Sequence, residues 1–181
     1  LRAVCATNRG SFPGGWFVDP EHSGGGALLD HTVHVADLLR RLIGSEPTEV
    51  FSAVGNELKQ SAVEDTAMLT LKYPGGLFAT LDASWSRSPG YKTWGDVMLN
   101  IVGTTGVIEL DLFGPGLDVY GGPNKSHRVD ATGANLDLLM VQEFLSAIRE
   151  GREPLTSGRD GLEAVRVAEM AYANKVMAGS A

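Results

Sequence analysis

The sequence predicts an α+β fold in which helices cover one face of an open, mostly antiparallel β-sheet, a two-layer arrangement. Two observations support this prediction. Consecutive β-hairpins fill the middle of the chain, and helical repeats of apolar residues occur before and after them. Hairpins join antiparallel strands, and a chain that keeps its strands apart from its helices favours α+β over repeated βαβ units.

The predicted strands are short runs in which apolar and polar residues alternate between turn residues. They cover residues 1–7, 49–55, 67–73, 77–85, 97–102, 107–113, 117–120 and 126–131. The turns at Pro74-Gly75-Gly76 and at residues 103–106 are rich in glycine, which is typical of hairpin connections. The sequence therefore predicts a sheet built largely from strands that are neighbours in the chain.

Three helices are predicted from apolar residues spaced three or four positions apart. The first covers residues 26–42 and ends near Gly44, because glycine suits the left-handed position after a helix. The second stops at Gly151, and its apolar positions are Leu136, Met140, Phe144 and Ile148. The third covers residues 159–177 behind a capping Ser157, and its apolar stripe is Leu162, Val165, Ala168 and Tyr172.

The composition indicates a globular protein of one domain. The chain has 181 residues, of which 43% are hydrophobic and 20% charged. Its formal net charge of −7 and the lack of a basic stripe argue against a nucleic-acid partner. No apolar run approaches the roughly 18–20 residues that span a membrane. The single cysteine, Cys5, cannot form an internal disulfide, so we expect a reducing, cytoplasmic location.

Asp30 and His34 are the strongest candidates for chemistry. If residues 26–42 are helical, the two side chains lie one turn apart on the same face. A carboxylate beside an imidazole can orient it and raise its basicity, which suits general acid–base catalysis near neutral pH. The alternative that the spacing leaves open is a solvated Asp30 and a His34 satisfied within the core.

The run Gly24-Gly25-Gly26 precedes the first helix. A dinucleotide-binding fingerprint needs G-x-G-x-x-G after a strand, but Leu29 occupies the third glycine position and the preceding residues are turn-like. We therefore predict no cofactor-binding residues in this chain. The glycines instead let the backbone pass close to a neighbour or a ligand, which makes Gly25 a candidate substrate-binding residue.

Two further groups of side chains leave alternatives open. Trp16, Trp85 and Trp94 either line a pocket or pack in the core, and we take Trp16 and Trp85 as candidate substrate-binding residues. Residue types that ligate metals also cluster here, namely His22, Asp30, His31, His34 and Asp37. Their spacing does not match H-E-x-x-H, so we predict no metal site, and a metal-dependent enzyme is the weaker alternative.

Residues 24–37 read G-G-G-A-L-L-D-H-T-V-H-V-A-D. This segment closely resembles the signature G-G-G-x-L-x-D-x-x-x-H-x-x-D of the Gfo/Idh/MocA oxidoreductases, enzymes similar to glucose–fructose oxidoreductase and inositol dehydrogenase. The hairpin at Tyr73-Pro74-Gly75-Gly76, the turn at residues 103–106, and residues 143–154 and 157–161 resemble the same family's C-terminal domain. The resemblance therefore covers essentially the whole chain, residues 1–181.

The resemblance implies a dihydrodipicolinate reductase-like C-terminal domain, preceded in the intact protein by a Rossmann domain that binds NAD or NADP. A first residue other than methionine, Leu1, agrees with this expectation. By similarity, His34 takes the proton from a hydroxyl of a sugar, polyol or related substrate as hydride leaves for nicotinamide. Asp30 is expected to orient or couple to His34 and to contact the same hydroxyl. The chain alone is expected to be inactive.

The resemblance also implies a homo-oligomer in which the open sheet face packs against the same face of another subunit.

A different class of function stays open at this point. The domain could bind ligands and hold subunits together in a protein that has lost catalysis, because a fold does not fix a reaction.

Overall fold

The computed structural model describes residues 1–114, 116–121, 126–131 and 134–178, and these contain a nine-stranded sheet. The strands are β1 Ala3–Thr7, β2 Glu49–Gly55, β3 Thr66–Lys72, β4 Phe78–Asp82, β5 Met98–Val102, β6 Gly106–Asp111, β7 Gly116–Gly121, β8 Ser126–Ala131 and β9 Lys175–Met177. The α-helices are α1 Pro20–Ser23, α2 Ala27–Ile43, α3 Leu136–Glu150 and α4 Gly158–Ala173. Short 3₁₀ turns occupy Gly15–Val18 and Pro74–Gly76.

The strands lie in the order β8-β7-β6-β5-β1-β4-β3-β2-β9 across the sheet. The β1–β4 and β2–β9 pairs are parallel, and the other six pairs in this order are antiparallel. The predicted hairpins are present as β3–β4 and β5–β6, which confirms an open and mostly antiparallel sheet. β1 lies inside the sheet, between β4 and β5, and this fixes the position of Asn8 at its end.

Helices α2 and α4 pack on one face of the sheet and against each other. Leu28, Val35 and Leu39 of α2 are fully buried, at positions that recur along one side of a helix. They share a core with strand residues such as Leu69 and Leu81. Burial of each such side chain contributes about 1.5–3 kcal/mol, so this contact fixes how α2 is rotated on the sheet.

The predicted end of α2 is confirmed. Gly44 adopts a left-handed conformation with φ of 75°, and its N–H donates to the carbonyl of Arg40. The Arg40 guanidinium pairs with Glu46 and also with Asp160 in the first turn of α4. These contacts tie the C-terminal end of α2 to the start of α4.

The prediction for the last helix is right about its start and wrong about its end. Ser157 caps α4 in a reciprocal capping box with Asp160. The helix ends at Ala173 instead of continuing to residue 177, because Lys175–Met177 pairs with β2 as the parallel edge strand β9. The unpaired edge of β2 offers these residues backbone partners that the helical pattern does not reveal.

The apolar stripe predicted for α4 is also partly wrong. Ala168 is buried and Tyr172 is half-buried, but Leu162 and Val165 are exposed. The buried face of α4 consists of Ala164, Val167, Ala168 and Ala171. Small side chains allow α4 to lie close to α2 and the sheet, so alanines occupy the contact and larger residues are displaced from it.

Helix α3 forms as predicted but does not bury the predicted stripe. Asn135 caps its start, and Gly151 ends it with φ of 62°. Ala147 is the one buried residue of α3, and the apolar side chains exposed on it include Leu136, Met140, Phe144 and Ile148.

None of the described helices has both the length and the apolar composition that crossing a membrane requires.

Candidate active site

Asp30 lies in the first turn of α2, and His34 follows one turn later. Both side chains line a cavity of about 300 Å³, which we call the small cavity. Other residues that line it are Trp16, Ser23, Gly25 and Trp85. The structure therefore brings the two predicted catalytic residues and the three predicted substrate-binding residues to one place.

A second cavity of about 850 Å³, the large cavity, is also lined by His34. Its lining includes Asn8, Asp37, Trp94, Asp96 and Ala164. His34 and its neighbour Val33 line both cavities, whereas Asp30 lines the small cavity alone. A group that is to contact Asp30 and His34 together would therefore lie in the small cavity.

The carboxylate of Asp30 is held by two buried side chains. The indole Nε1 of Trp85 donates to Oδ2 at 2.9 Å, and Nε2 of His31 lies 3.2 Å from the same oxygen. Burial acts to raise the pKa of Asp30, but the contacts with His31 and Trp85 and the charge of His34 outweigh it. The net effect lowers the pKa, so Asp30 is ionised at neutral pH.

The imidazole of His34 is exposed. The protein atoms that surround part of the ring lower the pKa of His34, because they remove water that would stabilise the charged form. The His31 side chain lowers the pKa further, and the Asp30 carboxylate partly opposes both effects. His34 is therefore neutral at pH 7 and available to accept a proton.

The tryptophans named by the sequence have different surroundings. Trp85 is 1% exposed, packs edge-on against Phe12 with ring centroids 5.6 Å apart, and uses its N–H on Asp30. Trp16 is 59% exposed and stacks on Phe17 at 4.1 Å. In this structure Trp85 therefore holds the carboxylate, while Trp16 presents an aromatic surface to the small cavity.

Asn8 and His31 belong to the site, although no role was predicted for them. The amide Nδ2 of Asn8 donates to the carbonyl of His31 at 2.8 Å, and Nδ1 of His31 donates to the carbonyl of Asn8 at 2.5 Å. Both residues are buried. A sequence signal that could have identified Asn8 is its place directly after an apolar strand, where a buried polar side chain needs a partner.

The N-terminal end of α2 is capped by a carboxylate from another segment. Oε1 of Glu64 accepts from the N–H of Gly26 at 2.9 Å and from the N–H of Leu28 at 3.3 Å. The hydroxyl of Tyr172 donates to the same oxygen at 2.6 Å, and burial raises the pKa of this phenol, which keeps it protonated. Because Glu64 takes the helix N–H groups, they do not form a cradle for a phosphate.

Two glycines allow Glu64 and Tyr172 to approach the start of α2 this closely. A Cβ added to Gly25 would lie 2.1 Å from the hydroxyl oxygen of Tyr172, and one added to Gly26 would lie 2.1 Å from the carbonyl oxygen of Glu64. The glycines thus allow the backbone to approach a neighbour closely, as predicted. In this structure the neighbours are atoms of Tyr172 and Glu64.

We expect Gly26→Ala to destabilise the protein by about 1–3 kcal/mol, because the new methyl group must displace the backbone of Glu64. Urea unfolding of the two proteins measures the change. Gly161→Ala is the matched control, since Gly161 lies inside α4 with open space around it and should gain about 0.5–1 kcal/mol of helix stability. Equal stability of Gly26→Ala and the parent chain would contradict the packing described.

The histidines and aspartates of this region do not converge on a metal site. Among the described residues, no group of three or more His, Cys, Asp or Glu side chains is placed to hold a metal ion. Nδ1 of His22 lies 2.8 Å from Asp19 instead.

Comparisons with known proteins identify the family of this chain. A family model described as the GFO/IDH/MocA C-terminal domain matches residues 1–109. The chain belongs to this family. The match includes all of α2 and every residue described above that contacts Asp30 or lines the small cavity.

Relatives of this GFO/IDH/MocA C-terminal domain are oxidoreductases. The uncharacterized oxidoreductase YrbE of Bacillus subtilis (strain 168) is 26% identical over 177 residues, which cover 85% of this chain and 47% of the relative. Myo-inositol 2-dehydrogenase of Thermotoga maritima is 26% identical over 147 residues, covering 76% of this chain and 43% of the relative. The chain therefore spans about half the length of the curated relatives it matches.

A solved structure shows the same fold. Levoglucosan dehydrogenase in complex with NADH and levoglucosan superposes with a TM-score of 0.82 at 20% identity, over 96% of this chain and 56% of that one. The likeness confirms the α+β arrangement predicted for the C-terminal domain.

Proposed function

We propose that this domain supplies the substrate-binding and acid–base half of an NAD(P)-dependent dehydrogenase acting on a hydroxyl of a sugar, polyol or related compound. One observation carries the proposal: Asp30 and His34 lie one turn apart and line the same cavity. The activity named for the Thermotoga maritima relative, inositol dehydrogenation, supports the class of substrate.

In the proposed reaction, His34 is the base for the substrate hydroxyl. The O–H proton passes to the neutral imidazole, a hydride leaves the same carbon, and a carbonyl forms. A nicotinamide cofactor, when bound, is the acceptor for that hydride. Proton transfer by a positioned group of this kind contributes about 10²–10⁴-fold to the rate. The ionised Asp30 stabilises the imidazolium that results.

The dimensions of the small cavity support a compact substrate. Its volume of about 300 Å³ is at the lower end of the range typical of ligand sites. Hydroxyl-rich ligands need polar partners, and Ser23, Asp30 and His34 provide them around the aromatic surface of Trp16. A single sugar ring or a polyol of similar size is the substrate class that fits.

We place the cofactor's phosphates on an N-terminal Rossmann domain outside this chain. The Glu64 carboxylate already occupies the N–H groups at the start of α2, which removes this helix N-terminus beside the small cavity as a phosphate site. The relatives are about twice as long as this chain, which leaves room for such a domain.

We also propose that the open sheet face joins copies of the protein. Phe51, Met68 and Phe78 are 44–54% exposed and lie on the face opposite the helices. Large apolar side chains exposed together on one sheet face favour a subunit contact. The unpaired Cys5 lies on the same face and agrees with a reducing, cytoplasmic location.

The charge variant Met68→Arg is expected to lower the mass of the oligomer, because burying a large charged side chain in the contact between copies carries a desolvation cost. Light scattering on the purified protein measures the mass. Leu58→Arg introduces the same charge at an exposed apolar residue between β2 and β3 and should leave the mass unchanged. An unchanged mass in both variants would contradict this interface.

The dehydrogenase proposal is tested with the full-length protein, a panel of sugars and polyols, and NAD and NADP in separate assays. Formation of reduced nicotinamide with at least one substrate is the expected result. A protein that binds members of the panel without any turnover would instead be the ligand-binding and oligomerisation domain considered above.

A further inference from the structure

His31 is completely enclosed, at 1% exposure, yet both of its ring nitrogens face oxygen atoms. Nδ1 lies 2.5 Å from the carbonyl oxygen of Asn8, and Nε2 lies 3.2 Å from Oδ2 of Asp30. A carbonyl oxygen can only accept a hydrogen bond, so the contact with Asn8 requires a proton on Nδ1. That contact fixes one of the two protons that the ring can carry.

The other nitrogen then determines the charge of the site. With a proton on Nδ1 alone, the unprotonated Nε2 would lie 3.2 Å from the ionised Asp30 carboxylate inside the protein, where repulsion is poorly screened. Among the described residues, Nε2 has no aligned hydrogen-bond partner, and the Asp30 carboxylate is the ion-pair partner within its reach, at 3.2 Å. A proton between Nε2 and Oδ2 removes the repulsion.

Two features place that proton on the imidazole. Trp85 already donates to Oδ2 at 2.9 Å, which stabilises the ionised form of Asp30. Asp30 also lies in the first turn of α2, where the helix dipole favours a negative charge. Both features favour a carboxylate paired with a doubly protonated ring.

We propose that His31 is a positioning residue that carries a proton at both ring nitrogens and forms a net-neutral pair with Asp30 beside His34. The pair and Trp85 together engage Oδ2, which leaves Oδ1 as the oxygen available to the small cavity. The consequence for catalysis rests on the proposed function, because it concerns the proton affinity of His34. With His31 charged, His34 does not face an uncompensated carboxylate.

Two further contacts of the His31 ring are uncharged. The segments packed against its ring contribute the backbone of Gly10, where an added Cβ would lie 2.6 Å from Cε1, and the ring of Trp94 at 5.7 Å. The charged residues of these segments, Arg9 and Asp96, pair with each other at 3.4 Å. For His34, the carboxylates that share its cavities are Asp30, Asp37 and Asp96.

The first test needs no turnover. Nitrogen-15 NMR of the 181-residue chain reports the protonation of each of its four histidines, and the His31→Asn variant assigns the His31 signals. The expected result at neutral pH is that both nitrogens of His31 have the chemical shifts of protonated nitrogens. A shift typical of an unprotonated Nε2 would overturn the proposal, whatever the full-length enzyme does.

The second test uses the pH dependence of kcat/KM in the full-length enzyme. Asn at position 31 keeps a donor in the place of Nδ1, and Gln keeps one in the place of Nε2, but neither carries a charge. In His31→Asn and His31→Gln, the uncompensated Asp30 carboxylate should raise the pKa of His34. The acidic limb of the profile should then move to higher pH by about one unit.

The two variants also separate positioning from folding. His31→Asn should lose about tenfold in kcat, and His31→Gln should lose less, because Gln still offers a donor to Asp30. An acidic limb that stays in place in both variants would overturn the proposal, since a purely structural role would lower the rate without moving the pH profile. Absence of turnover in the parent enzyme would instead refute the proposed function and leave the NMR result standing.

Discussion

Replacing His34 by alanine in the full-length enzyme is expected to lower kcat by about 10²–10⁴-fold and to leave the cofactor Kd unchanged. The imidazole is exposed, lines both cavities and is neutral at pH 7, so its removal takes away the proton acceptor with little effect on packing. Steady-state kinetics and cofactor titration measure the two quantities.

His22→Ala is the matched control for this variant. His22 is also an exposed imidazole close in sequence, but it pairs with Asp19 and does not line either of the two cavities. Its replacement should leave kcat within a factor of two or so. Full turnover in His34→Ala would show that another group takes the hydroxyl proton.

Asp30→Asn is expected to lower kcat by about 10²-fold and to shift the acidic limb of kcat/KM to lower pH. An asparagine can still accept from Trp85, so the fold is preserved, but it cannot stabilise an imidazolium. The Asp30 carboxylate raises the pKa of His34, and its removal therefore lowers that pKa. The direction is opposite to the one expected for the His31 variants.

The control for Asp30→Asn is Asp137→Asn, which neutralises an exposed carboxylate in the first turn of α3. Both changes remove a charge from a helix N-terminus, where each carboxylate contributes about 0.3–1 kcal/mol. Only the Asp30 variant should change the pH profile. If the acidic limb of the kcat/KM profile moves to higher pH in Asp30→Asn, or does not move, the electrostatic coupling between Asp30 and His34 is contradicted.

Local signals were sufficient to predict α2 and the hairpins. Each of these signals depends only on residues close together in the sequence. The structure has the buried apolar positions of α2, its terminal Gly44 and the Pro74–Gly76 turn where the sequence predicts them. The spacing of Asp30 and His34 is equally local, because both lie on one helix. A correct helix therefore placed the two candidate residues on one face.

The misassigned end of the last helix shows where local signals fail. Residues 175–177 continue a helical pattern, yet they pair with β2, a strand more than a hundred residues earlier in the chain. The apolar stripe on α3 likewise predicts a helix correctly, but it does not show whether another part of the protein covers these side chains. Periodicity identifies an element, but its partners depend on the whole fold.

The supports of the site also come from distant parts of the chain. His31 and Asn8 are 23 residues apart, Asp30 and Trp85 are 55 apart, and Gly26 and Glu64 are 38 apart. No spacing rule connects such pairs. The sequence therefore indicated candidate catalytic residues but did not indicate which residues hold them in place.

The pH dependence of kcat/KM for the parent enzyme and for His34→Ala is the most direct test of acid–base catalysis by His34. The pKa of His34 lies below its ordinary value of 6.5, so activity in the direction of oxidation should be present at neutral pH and fall as the pH drops through that lowered pKa. The residual activity of His34→Ala should lack this limb. A parent profile without an acidic limb below pH 6.5, or the same limb in both proteins, would contradict the assignment of His34 as the base.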